Sequence, residues 1–330
     1  MLEGKEIDAS PLFQKIGLDT KGLWPIVETP KMYPYKIEGD IRQNWSYFMT
    51  FGLSALRQEM LKNQQKLPAS IGITGIGNGI EGIAAAKIFE NSLRQLFIVD
   101  TDNEILNGAL VNIRRNINKT RVEVIGHVGS FAEPLEAEGV QVDLFAGNVP
   151  NLPSEEDQEL ITGADHGTFM PRAWYEKYQP PEKFMQWALG TQYAHLKSAR
   201  NVVKEGGSAL TLVGGRFPLH LADDLFKETG YQDLQEVISG LKEQTEPEPD
   251  FLGYSRFEEA FEDVAFDFYP YAAAERVLQE SNIANPTRVH NAARIKTVLR
   301  NLRKSAGDAL SLYHQGIACG HTVHLFRGTR

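Results

Sequence analysis

The stretch "ASIGITGIGNGIEGIAAAKIF", residues 69–89, sets four glycines within eight residues, Gly75, Gly77, Gly79 and Gly82, between an apolar run and an Ala-rich run. A strand that turns through glycines into a helix lets its backbone approach a ligand closely and presents helix N–H groups to it. "LFIVD" follows and ends in Asp100, about twenty residues on, where a carboxylate closing the next strand is placed to accept from both hydroxyls of a ribose. The spacing separates the candidate ligands. A dinucleotide loop wants G-x-G-x-x-G, whereas this chain has G-x-G-x-G.

The rest of the chain fits an α/β frame around that loop. From Ile71, "SIGIT", a helix from Ile80, "LFIVD", a helix from Glu104, "RVEVIGH" and "VDLFAGNVP" alternate, which predicts a parallel sheet with crossover helices. Residues 1–66 carry irregular aromatics and prolines, then the helical "NWSYFMTFGLSALRQEMLKN", and read as an N-terminal lid or extension. Residues 67–330 then form the catalytic domain. Its expected insertions lie at about 151–185, aromatic and longer than a normal connection, and at about 235–315. A helix through "QYAHLKSARNVVKEGG", the strand "SALTLVGGR", a helix "LADDLFKETG" and a closing strand "HTVHLFRG" complete the pattern, with the acidic "KEQTEPEPD" as a solvated loop.

Composition removes several function classes. The net charge is −9 and the basic residues are scattered, so the electrostatic footprint of a nucleic-acid binder is missing. Cys319 stands alone, which excludes a disulfide framework and a thiolate metal site and suits a buried apolar filler. His127, His166, His195 and His220 lie on different elements without metal-ligand spacing, so no metal is expected. His166, in the polar "GADHG", is the best placed of them for a general base, and surface or capping roles compete with that. No run approaches the roughly 18 apolar residues of a membrane span, and "MLEGKEIDAS" has no targeting pattern. A cytoplasmic protein is expected, with its oligomeric state open and a homodimer among the alternatives. No Gly-x-Ser-x-Gly elbow and no P-loop occur, which leaves hydrolase and phosphoryl-transfer readings without support.

With Gly75, Gly77, Gly79 and Asp100 in these places, the chain resembles the class I S-adenosylmethionine-dependent methyltransferases from about residue 69 to 231, with a closing strand at 321–327. The resemblance implies a Rossmann-like fold with a mainly parallel seven-stranded sheet and helices on both faces. It implies S-adenosylmethionine as the ligand, with Thr74, Gly75, Gly77 and Gly79 along its methionyl and ribose part, Asp100 and Thr101 at the ribose, and Ser130 and Phe131 flanking adenine. The family's acidic residue two places before the first glycine is Ile73 here, a departure. Asn148, Val149 and Pro150 give Asn-x-Pro after the fourth strand, where nitrogen-modifying members place acceptors for an amine; a turn closed by Asn and Pro is the plain alternative.

A closer likeness covers "LFAGNVPNLP" and "LTLVGGRFPLHLADDLFKETGY". Both resemble the catalytic domain of plant methionine S-methyltransferase, with Gly214, Gly215, Arg216 and Pro218 matching its Gly-Gly-Arg-x-Pro element. The overall character of the chain resembles the azetidine-2-carboxylate synthases, which cyclise S-adenosylmethionine itself to a non-proteinogenic amino acid of secondary metabolism. Loss of an anion at Ile73 favours a neutral, nucleophilic amine. Asn148 would then accept a hydrogen bond from that amine, and Trp174, Tyr175, Tyr33 and Tyr35 would offer ring faces to a sulfonium, each worth about 0.5 to 2 kcal/mol. Core or lid packing is the alternative for any of these rings. Arg216 is a candidate carboxylate clamp or, equally, a structural ion-pair partner. Cyclisation is thus the leading expectation; methyl transfer to a small amine or a thioether such as methionine, and a non-catalytic S-adenosylmethionine-binding module, are the rivals.

Overall fold

Along a β-strand successive side chains point to opposite faces, and here the strands supply large apolar residues to both. Ile71 and Ile73, Leu96 and Ile98, Leu144 and Ala146, and Leu210 and Leu212 face one core. Phe97 and Val99, Phe145, and Ala209 and Val213 face the other. Strands buried on both sides must be covered on both sides, which dictates a three-layer α/β sandwich. The computed structural model describes residues 4–36, 39–117, 120–154, 160 and 162–330 and has that architecture.

The sheet contains β1 (Ser70–Thr74), β2 (Gln95–Asp100), β3 (Glu123–Val128), β4 (Val142–Gly147), β5 (Val203–Gly214), β6 (Gln232–Glu243) and β7 (Cys319–Thr329). Their spatial order is β6-β7-β5-β4-β1-β2-β3, and the two-residue strand Tyr269–Pro270 pairs beside β6 on β7 as an eighth member. Pairings from β5 through β3 are parallel. Strand β7 runs antiparallel to both neighbours. A parallel sheet ending in a reversed penultimate strand in this order is the class I methyltransferase-like topology.

Helices α1 (Trp45–Lys62), α2 (Ile80–Ile88) and α3 (Asn103–Asn116) cover one face, and α4 (Gly190–Val202) and α5 (His220–Glu228) the other. Beyond β6 come α6 (Pro247–Ala260), α7 (Tyr271–Glu280), α8 (Ala292–Leu299) and α9 (Ala306–His314). Helices α6 and α9 share a small aromatic core with Phe266, Phe268 and Cys319. Cys319 is buried there, as an apolar filler would be.

Three expectations need correction. The helical half of residues 1–66 is not a lid: Phe48, Leu53 and Leu56 of α1 are fully buried in the core with Ile238 and Leu325 of β6 and β7. Only the part before α1 lies outside the sandwich. There a ribbon of Lys5–Ile7 with Ile26–Glu28 is tied to α3 through Asn112, which accepts from the Val27 N–H at 2.9 Å and donates to its carbonyl at 2.8 Å. The second insertion begins later than residue 235, because "QDLQEVISGLKE" is strand β6. The acidic "KEQTEPEPD" is not a solvated loop; it closes β6 and opens α6, and its first and last residues, Lys242 and Asp250, are buried. Of the first insertion, residues 155–159 and 161 lie outside the described residues.

Because α1 is a core helix, Phe48→Ala should cost about 3 to 5 kcal/mol of stability, the usual range for emptying a buried aromatic site. A urea-unfolding midpoint checks this; a loss below about 1 kcal/mol would return α1 to the periphery.

Candidate active site

The order β4-β1-β2 reverses direction of growth at β1, so the connections after β1 and β4 leave on opposite faces and a crevice opens between them. The crevice is a solvent-open cleft, with about 1490 Å³ of space when the open solvent at its mouth is counted. Its floor is the glycine turn. Gly75 and Ile76 donate to the Val99 carbonyl at 2.9 and 3.3 Å, which folds the turn over the end of β2. Gly75 and Gly77 have φ of 64° and 52°, left-handed values that favour glycine, and a side chain at Gly77 would meet open space. That space is available to a ligand.

Asp100, buried at the tip of β2, accepts from the Gly77 N–H and the Asp102 N–H, both at 3.3 Å. Burial pushes its carboxyl up to about 6 against these donors. Thr74, Thr101, Ser130, Phe131 and Asn148 line the same cleft, as do Tyr33, Tyr35, Trp174 and Arg216. Twelve of the fourteen residues singled out in the sequence therefore share one surface.

Gly79 and Tyr175 are the exceptions. Gly79 caps α2 with φ of 88°, and a Cβ there would stand 3.1 Å from the Ala109 carbonyl oxygen; it serves the approach of α2 to α3, away from the cleft. Tyr175 is buried behind the cleft wall, in a cluster with Phe131, Val149, Met170 and Ala194. Its free edge borders a separate small cavity with Met185 and Phe257. The catalytic expectation for Tyr175 is corrected on that ground. Among the four histidines considered, His166 borders the cleft. His195 is fully buried, hydrogen-bonded to the Leu210 carbonyl at 2.9 Å, and depressed to about 4 by burial. His127 pairs with Glu138.

The roof is made by two segments distant in sequence. The Gly163 N–H donates to the Pro30 carbonyl at 3.1 Å, and a Cβ on Gly163 would fall 1.7 Å from the Met32 carbonyl oxygen. A Cβ on Gly167 would fall 2.0 Å from the Tyr33 ring. Only glycine permits this contact, so the helix Gly163–Thr168 and residues 30–35 interlock backbone to backbone. Tyr33 is fastened further by its hydroxyl, 2.7 Å from the Thr245 Oγ1.

Several lining residues escaped sequence reasoning. Glu81, in the first turn of α2, faces the cleft, and burial raises its carboxyl above the ordinary range. The anion absent at Ile73 thus has a counterpart one turn beyond the glycines, whereas Ile73 itself is a core residue. At the far end Arg216, only 3% exposed, donates from Nη1 to the Tyr254 hydroxyl at 3.0 Å and from Nη2 to Gln244 Oε1 at 3.1 Å. Its plane lies over the rings of Tyr254 and Phe268, 4.6 and 5.6 Å from their centres. Arg216 is therefore held by neutral partners rather than in the structural ion pair weighed above. Asp250 lines the cleft beside it, pushed up to about 6 by burial and pulled back by Arg216 and Lys242. Lys242 is fully buried, donates to Thr245 Oγ1 at 3.2 Å and lies 4.9 Å from the Trp45 ring centre; burial lowers it to about 7. Among the described residues no three His, Cys, Asp or Glu side chains group as metal ligands, and no helix is long and apolar enough to cross a membrane.

No protein-family model matches the chain, and no curated protein matches it. Solved structures are similar to it at low identity. The YcgJ protein of Bacillus subtilis is 11% identical with a TM-score of 0.42, the alignment covering 84% of this chain and 97% of that one. A precorrin-6y C5,15-methyltransferase of Geobacter metallireducens is 9% identical with a TM-score of 0.39, over 92% and 94% of the two chains. A ribosomal protein L11 methylase of Lactobacillus delbrueckii is 13% identical with a TM-score of 0.37, over 60% and 73%. At such scores the likeness carries no argument; the strand order does.

A buried carboxyl whose folded value is raised binds protons that the unfolded chain has released, so stability falls as pH rises from about 4 to 6. Replacing Asp100 by Asn should remove that loss and make the unliganded protein more stable at pH 7 by about 1 to 3 kcal/mol, with little change at pH 4. Urea midpoints of parent and variant at the two pH values decide it. Equal stability at pH 7 would contradict a penalised carboxylate.

Proposed function

We propose that this chain binds S-adenosylmethionine in the cleft and closes its methionyl chain into azetidine-2-carboxylate, releasing 5′-methylthioadenosine. The observation that carries the reading is the interlocked roof at Gly163 and Gly167, which joins two segments that both line the cleft. A wall fixed in this way can hold one folded form of a substrate that supplies both nucleophile and electrophile. In this reading Gly75 and Gly77 lie against the ribose and methionyl portion, Asp100 and Thr101 take the diol, and Ser130 and Phe131 flank adenine.

The α-amine attacks the γ-carbon, the N–Cγ bond forms as the Cγ–S bond breaks, and the electron pair leaves on sulfur as a neutral thioether. The proton that the ammonium must lose passes to a cleft carboxylate; Glu81 and Asp250 both line the cleft, and burial makes both more basic than ordinary carboxylates. Asn148 accepts a hydrogen bond from the amine and holds it in line with the departing sulfur. Tyr33, Tyr35, Trp45 and Trp174 provide aromatic walls for the sulfonium.

A second reading has its own support. The cleft opens to solvent, which leaves an entry for an amine or thioether acceptor in a methyl transfer.

Incubation with S-adenosylmethionine alone separates the readings. Methylthioadenosine is expected; S-adenosylhomocysteine formed only with an added acceptor would establish methyl transfer, and neither product would leave a binding module. Asn148→Ala should lower methylthioadenosine release by about 2 to 4 kcal/mol in activation free energy while binding is nearly unchanged. Near-parental turnover would remove Asn148 from the reaction. Asp100→Ala, in contrast, should weaken binding itself, and calorimetric affinity equal to the parent's would displace the ribose from that carboxylate.

A further inference from the structure

Two charges of opposite sign are buried in the cleft wall without forming an ion pair. Arg216 is 3% exposed and Asp250 8%, and Gln244 stands between them: it accepts from Arg216 Nη2 at 3.1 Å and donates to Asp250 Oδ2. Charges buried to balance each other meet directly, because their mutual attraction is what offsets desolvation. These two are kept apart by a neutral amide. Every recorded partner of the guanidinium is uncharged: the Tyr254 hydroxyl, Gln244, and the His321 ring, which burial and the nearby cations keep neutral. Arg216 Nε is buried with no partner among the described residues. Lys242 repeats the pattern, fully buried with the Glu243 carbonyl and the Thr245 hydroxyl as its acceptors among the described residues.

The group lies past the ends of β5 and β6, across the cleft from Asp100 at the tip of β2. An anion such as phosphate would answer Arg216 and repel Asp250. A simple amine would answer Asp250 and repel Arg216. A ligand carrying both charges a few bonds apart answers both.

We infer that Arg216 and Asp250, spaced by Gln244, form a subsite for the head group of an α-amino acid, Asp250 facing its ammonium and Arg216 its carboxylate. The inference rests on the proposed reading only for the source of that head group, which is either the methionyl end of S-adenosylmethionine or a free amino acid bound beside it. Arg216 acts here as a fixed positive charge, held in the cleft wall by the Tyr254 hydroxyl and Gln244.

The test is calorimetric titration of L-methionine into the full chain saturated with methylthioadenosine, which leaves any head-group site open. Binding is expected, with 3-(methylthio)propanoate and 3-(methylthio)propylamine, each lacking one charge, at least tenfold weaker. Asp250→Asn, nearly isosteric, should lose tenfold or more for L-methionine and little for the propanoate, which has no ammonium to lose. Methylthioadenosine affinity within twofold of the parent shows that the variant is folded, and the analogue series on the parent stands if it is not. Analogues binding as tightly as L-methionine, a parent that ignores L-methionine, or an Asp250→Asn variant with unchanged L-methionine affinity would each overturn the subsite. Repeating the titration with S-adenosylmethionine in place of methylthioadenosine identifies the source: exclusion of L-methionine means the bound molecule's own head group fills the site, and retention means a separate amino acid does. If methylthioadenosine fails to bind, the nucleoside reading falls while titration of L-methionine alone still tests the subsite.

Discussion

The reversal of strand order at β1 is the constraint from which the site follows. With β2 on one side and β4 on the other, the turns leaving β1 and β4 must part, and Gly75 and Asn148 face each other across the gap. A Cβ on Gly75 would lie 3.4 Å from the Asn148 carbonyl oxygen, so the two turns are as close as backbones with small residues allow. Everything that defines the cleft is referred to this pair: Asp100 on the β2 side, Arg216 on the β5 side, and the roof above.

The walls of the cleft and the layer behind them bury ionisable groups at an electrostatic cost. Asp100, Glu81 and Asp250 are carboxyls raised by burial, and Lys242 is an amine lowered by it. Such groups oppose folding at neutral pH unless something meets their charge, and the three carboxyls, all lining one concavity, mark it as a candidate functional surface. The stability they withhold is available to a ligand that pairs with them, which couples occupancy of the cleft to the rigidity of the strand ends that bear them.

The amino-acid sequence was informative where local chemistry and local structure coincide. Gly75, Gly77 and Asp100 sit on one strand-turn-helix-strand unit whose spacing is fixed by the fold, so their convergence was legible. Asn148 and Arg216 were legible because each follows an apolar strand. Glu81 was missed since a glutamate at the start of a helix reads as an ordinary favourable first-turn charge. Strand β6 was missed because its first half, "QDLQE", is polar and partly exposed, and only the second half enters the core. Lys242 and Asp250 looked solvated because charged residues flank them; the pairing of β6 with β7 and the seating of α6 on Phe266 and Phe268, both long-range events, bury them. Tyr175 and Gly79 were misplaced by one facet of a short helix and one turn of a loop, distances that periodicity cannot resolve. The lid character of residues 45–62 failed for a different reason: its apolar residues fit helical spacing equally well for a lid or a core, and only the sheet decides.

Within this frame the parts divide by what they can specify. The glycine turn, Asp100 and Phe131 belong to the β1, β2 and β3 end of the cleft, which the proposed reading gives to the adenosine part of the ligand. The opposite wall comes from residues with no fixed place in a generic α/β unit: the strap that carries Tyr33, the helix Gly163–Thr168, and α6 with Asp250 and Tyr254. These three additions are joined to one another, through Gly167 against Tyr33, Tyr33 to Thr245, Thr245 to Lys242, and Gln244 to Asp250. The roof and the buried charges are thus parts of one contiguous set of contacts. Chemistry that needs a flexible chain held in one bent form requires this kind of linkage, because the wall that selects the conformation must be in place only when the head group is.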